Sequence, residues 1–155
     1  MVRFTDETRM GGFELIPEGV TILRVKELSP VMNMGKINKY KGKFEDARGR
    51  MIFNDYNVSA TNKYRVQAMR SLYSLLKKGC ELDEDEDGEI NEQDAVGKYF
   101  VARIKHTEGS DGRIFQNLGY ILGHVTSFND DISEFTDDAS AAPKARPIVE
   151  DDPYA

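Results

Sequence analysis

The stretch DEDEDGEINEQD spans Asp83 to Asp94 and places carboxylates at the alternate positions Asp83, Asp85 and Asp87, with Gly88 next and Asp94 closing the twelve residues. Calcium takes six to eight oxygen ligands, and the EF-hand loop supplies them with this alternation around a turn-forming glycine. The chemistry on offer would be divalent-cation binding. An EF-hand also needs a helix on each side of its loop. The entering helix, TNKYRVQAMRSLYSLLKKG, meets Gly79 before the loop begins, and the exit, AVGKYFVARI, carries Gly97 and a strand pattern. Asp94 is shorter than the bidentate Glu of the last loop position, and no second loop is present to pair with this one. A solvated acidic loop is the stronger reading, with Asp83, Asp85, Asp87 and Asp94 kept as secondary metal candidates.

A second constellation mixes cations with rings. KINKYKGKF interleaves Lys36, Lys39, Lys41 and Lys43 with Tyr40 and Phe44, and RGRMIF adds Arg48, Arg50 and Phe53. Further along are Tyr99, Arg103, Lys105, Arg113 and Phe115. Aromatic rings stack on any nucleobase while Lys and Arg follow a phosphate backbone, so this composition suits a nucleic-acid single strand without base selection. The competing assignment puts Phe53, Tyr99 and Phe115 in core packing and the lysines on a solvated edge. Catalytic patterns are missing. There is no phosphate-cradling Gly-Lys-Ser/Thr loop, His106 and His124 lack Cys or Glu at ligand spacing, and Cys80 has no base supplied nearby in sequence. Neither enzymatic activity nor a cofactor is expected.

The net charge of −6 over 155 residues conceals an asymmetry. Met1 to Cys80 holds fifteen Lys/Arg against eight Asp/Glu; Glu81 to Asp94 holds nine acids and no base; Ala95 to Phe128 holds four bases and two acids; Asn129 to Ala155 holds eight acids and two bases. Acidity is confined to two blocks and the remainder is basic, which reverses what the overall charge would say about a nucleic-acid partner. One cysteine excludes an internal disulfide or thiolate zinc site and fits a reducing compartment. The opening MVRFTDETRM is too polar for a signal peptide, and no apolar run approaches the roughly 20 residues of a membrane helix.

The elements that must position these residues follow from periodicity. A Pro17-Glu18-Gly19 turn leads into the β-branched strand VTILRVKEL. Two strands flank a turn at residues 45–49, the second alternating Ile52, Asn54, Tyr56 and Val58 against Met51, Phe53, Asp55 and Asn57. A helix capped at Thr61 or Asn62 carries Tyr64, Ala68, Leu72, Leu75 and Leu76 on one stripe and ends at Lys77, Lys78 and Gly79. GKYFVARIKH places Phe100, Ala102 and Ile104 on one face of a strand, EGSDG forms a hairpin turn, and RIFQNLGYILGHV returns. Three strands, a helix and two strands is the layout of the five-stranded OB-fold barrel. Residues 1–128 are expected to form that mainly β domain, and residues 129–155, rich in Asp, Ala and Pro, a disordered acidic tail.

GGFELIPEGVTILRVKEL, GRMIFNDYNVS and DAVGKYFVARIKH resemble a family of phage-encoded OB-fold single-stranded-DNA-binding proteins, over roughly residues 11–120. The resemblance implies sequence-non-specific coating of single-stranded DNA in replication or recombination, in the cytoplasm of an infected bacterial host, with homo-oligomerisation left open. The ending EDDPYA resembles the tails of bacterial single-stranded-DNA-binding proteins, with Ala155 added. That implies recruitment of replication or recombination proteins through Asp151, Asp152, Pro153 and Tyr154. The alternative from another class is an interaction or inhibitor module whose acidic surface mimics DNA, and a third is a calcium-binding domain.

Overall fold

The computed structural model describes Met1 and residues 14–135. Five strands, β1 (Gly19–Asn33), β2 (Lys36–Glu45), β3 (Met51–Asn57), β4 (Tyr99–Glu108) and β5 (Ile114–Val125), form one antiparallel sheet in the order β3-β2-β1-β4-β5. A single helix, α1, lies between β3 and β4 as expected. It is α-helical over Arg65–Ser74 and widens into a π-turn over Leu75–Gly79. Asn62 prepares its entry: its side chain accepts the Tyr64 N–H at 3.2 Å and donates to Asn57 O at 2.8 Å.

β1 runs five residues past Leu28 and serves two neighbours in turn. Residues Gly19 to Arg24 pair with β4, and Arg24 to Asn33 pair with β2. The register shifts between Val25 and Glu27, a bulge that bends the strand and increases its twist, so the two halves of the sheet turn toward each other. Alternation then puts Leu23, Val25, Phe44, Ile52, Tyr56, Phe100, Ala102, Ile104 and Ile121 on the concave face. Leu72, Leu75 and Leu76 of α1 close that core, and Phe44 meets Phe100 edge to face at 5.3 Å. Burying each large apolar side chain contributes about 1.5–3 kcal/mol. At the other end of the expected helical stripe, Tyr64 is exposed.

The sheet is open by main-chain pairing, which departs from the expected closed barrel. β3 and β5 are its edges, and the link between them is a side chain: Gln116 donates to Met51 O at 2.7 Å and accepts the Ile16 N–H at 2.9 Å. The outer face has a small core of its own. Ile22, Val101 and Val125 are buried under Tyr99, Leu122, Phe128, Ile132 and Phe135. Phe128, Ile132 and Phe135 recur at helical spacing, so apolar packing carries on past the boundary expected after Phe128, at least to Phe135. The remaining tail, with Asp151, Asp152, Pro153 and Tyr154, lies outside the described residues. Among the described residues no helix is long and apolar enough to cross a membrane.

Candidate nucleic-acid interface

On β2, every second residue faces the core. Tyr40 packs against it half-buried, Gly42 is buried where a β-carbon would come within 2.6 Å of Asn54 O, and Phe44 is fully buried. Strand alternation therefore turns Lys39, Lys41 and Lys43 to the outer face, where they stand opposite Asn57, Asp55 and Phe53 of β3. The three ammonium groups rise from positions about 6.7 Å apart along the strand, comparable to the step between phosphates of an extended nucleic-acid strand. Phe53 is 48% exposed, and Lys43 Nζ lies 6.0 Å from its ring centroid. Lys39 Nζ is held by Asp55 at 3.0 Å. This group is a row of cations beside an open ring face.

A second patch forms at the β4–β5 hairpin. Asn117 donates to Thr107 Oγ1 at 3.0 Å, which puts these residues on one face, and the pairs Lys105–Asn117 and Thr107–Phe115 extend it. Phe115 is 47% exposed and its ring lies against Gly109, where a β-carbon would come within 2.9 Å of it. Arg113 is exposed at the turn with Asp111 3.8 Å away. The Gln116–Met51 tether joins the start of β5 to the start of β3, so Phe115 and Phe53 sit one and two residues along from that link. Lys36 is exposed at the far end of β2 and Arg48 in the β2–β3 turn.

Other candidates are occupied by the fold itself. Tyr40 is on the core side of β2, so it is not part of the lysine face that the sequence grouped it with; burial raises its phenol pKa. Arg50 is 15% exposed and bonded to Asp46 at 2.7 Å, with Glu14 at 3.5 Å. Asp46 is 3% exposed and also accepts the N–H groups of Arg48 and Arg50, so Arg50 neutralises a buried turn carboxylate rather than offering its charge outward. Tyr99 meets Phe128 edge to face at 4.8 Å in the outer core, which removes it as an open stacking surface. Arg103 is half-buried on β4 opposite Val20. Sequence reasoning passed over Arg24 and Lys26, which extend the basic face across β1. Both meet Glu45, whose carboxylate accepts a hydrogen bond from Arg24 and so raises the guanidinium pKa.

The acidic loop is organised by its own backbone. Asp85 Oδ1 accepts the N–H groups of Asp87 and Glu89 at 2.9 Å, and Asp85 N–H donates to Glu89 O at 2.8 Å. Leu82 and Ile90 anchor both ends in the core, and the exit is the short 3-10 turn Glu92–Ala95 leading to β4, not a helix. Among the described residues no three His, Cys, Asp or Glu are grouped to hold a metal ion, Asp83, Asp85, Asp87 and Asp94 included. His106 Nε2 is 2.7 Å from Ile16 O and His124 Nδ1 2.9 Å from Gly79 O, so each ring serves a buried carbonyl. Cys80 is buried, and that burial pushes its thiol up to about 12. No protein-family model matches the chain, and no curated protein matches it.

Proposed function

We propose that this protein binds single-stranded DNA without sequence selection, along the outer face of β2 and β3 and onto the β4–β5 hairpin. One observation carries the reading: Lys39, Lys41 and Lys43 share an exposed strand face with the open ring of Phe53. Phosphates would follow the lysines while bases stack on Phe53 and Phe115, contacts that every base can make. The strand order, the bulged β1 shared between two half-sheets and the helix between β3 and β4 support an OB-type arrangement, in which this face and these hairpins take oligonucleotides. The resemblance to phage single-stranded-DNA-binding proteins supports a role in replication or recombination, with the acidic C-terminal residues recruiting partner proteins.

Fluorescence anisotropy of labelled oligo-dT and of a mixed-sequence oligonucleotide tests this. The two should bind with similar affinity, more tightly than a duplex of equal length, and ever more weakly as salt rises. Failure of both to bind at low salt, with tight capture of a basic protein instead, would favour DNA mimicry by the acidic loop.

A further inference from the structure

The β1–β2 ribbon extends beyond the rest of the sheet. β3 accompanies β2 only as far as Lys39, opposite Asn57, and the Val58 N–H closes on Asn38 O at 3.1 Å. Past that point Met32 pairs with Ile37 and Asn33 with Lys36. The turn between them, Met34–Gly35, has φ of +52° and +79°. Two positive φ values mark the type I′ turn that suits hairpin twist, and its first central position normally takes Asn, Asp or Gly. A methionine there crowds its own backbone. Met34 is also 94% exposed, so no packing offsets that cost. Met32 and Ile37 are exposed beside it, and from Leu28 to Phe44 the ribbon carries four lysines and no acid.

Resting on the single-stranded-DNA reading, we infer that this tip is a wedge that enters the base stack where single-stranded DNA meets duplex, with Met34 between bases and Lys36 on the flanking phosphate. Methionine is among the side chains that unstack base steps on insertion, and its unbranched thioether adapts to an irregular gap. Backbone strain held at an exposed position without packing of its own is a pointer to function. β2 is one continuous strand from the tip at Lys36 to the lysine face ending at Lys43, so a strand lying on that face leads to the tip. An apolar tip on a cationic arm also suits an anionic bilayer; its continuity with the lysine face favours DNA.

The test uses the full chain and a Met32→Ser/Met34→Asn variant. Asparagine suits the type I′ turn, so the variant should fold at least as well, with an unchanged or higher melting temperature. Three probes are compared: oligo-dT; a DNA hairpin with a dT tail and 2-aminopurine at the junction pair; and phosphatidylserine/phosphatidylcholine vesicles. The wild type should raise 2-aminopurine fluorescence, and the variant should lose that rise and about tenfold in affinity for the tailed hairpin, on the order of one lost stacking contact. Oligo-dT binding should stay within about twofold. Oligo-dT binding without a junction signal, or with one identical in the variant, overturns the wedge alone. Absence of oligo-dT binding overturns the underlying reading with it. Vesicle binding that the variant loses, with no junction signal, assigns the tip to a membrane surface instead.

Discussion

Replacing Lys41 and Lys43 with alanine removes two cations from the outer face of β2 without touching the core, because both alternate along the strand with Gly42 and Phe44, which take the buried face. Each phosphate contact on single-stranded DNA contributes about 0.7 to the slope of log affinity against log salt, so the double variant should lose about 1.4 from that slope. Between 50 and 200 mM salt the wild type should then lose about sevenfold more affinity than the variant. Lys39 should behave differently. Its ammonium is already paired with Asp55 at 3.0 Å, so a phosphate must displace a carboxylate to reach it. Asp55→Asn should free Lys39, tighten binding at low salt and steepen the slope by up to about 0.7. Stability should change little: exposed ion pairs contribute about 0–1 kcal/mol, and the Lys43–Phe53 contact about 0.5–1 kcal/mol. Anisotropy titrations of oligo-dT at five salt concentrations, with melting curves as a folding control, measure all of this. A folded Lys41→Ala/Lys43→Ala protein with an unchanged slope would show that the phosphates run elsewhere.

Phe53→Ala should weaken oligo-dT binding by about 1–3 kcal/mol with little change in salt slope, since stacking rather than charge is removed; an equal loss of slope would argue against a stacking role. Arg50→Ala should leave binding largely intact and destabilise the fold by about 3 kcal/mol, because Asp46 would keep a buried charge with only backbone donors. Thermal melting should fall by on the order of 10 °C, and a drop of one or two degrees would mean that water replaces the guanidinium. Cys80 should resist thiol reagents at neutral pH until the chain unfolds. Its raised pKa means that stability falls as pH climbs from the ordinary thiol range towards about 12, since the unfolded chain gives up the proton first; rapid labelling of folded protein would contradict this burial. Millimolar calcium should move the melting temperature little, and a large rise abolished by Asp83→Asn/Asp85→Asn would restore the cation-binding reading of the loop.

The strands, the helix and their order were legible in the amino-acid sequence because each carries its own period. Alternation of Ile52, Tyr56 and Val58, or of Phe100, Ala102 and Ile104, is a local pattern, and both sets are buried as that pattern requires. Alternation also held the answer for Tyr40, since a residue between Lys39 and Lys41 on a strand must face the other way; composition alone grouped it with them. Other assignments needed neighbours that sequence does not name. Arg50 and Lys43 are both cations beside a turn, yet one closes on a carboxylate buried by the β2–β3 turn while the other stays on an open face. Tyr99 and Phe53 are both rings on outer strand faces. Only the return of residues 126–135 across β4 and β5 covers the first and leaves the second open, because burial is decided by which distant segment packs on a face. Closure of the sheet belongs to the same class. Whether β3 and β5 meet by backbone or through Gln116 depends on how far the bulge in β1 curls the sheet, a sum of small twists that no short stretch of sequence contains.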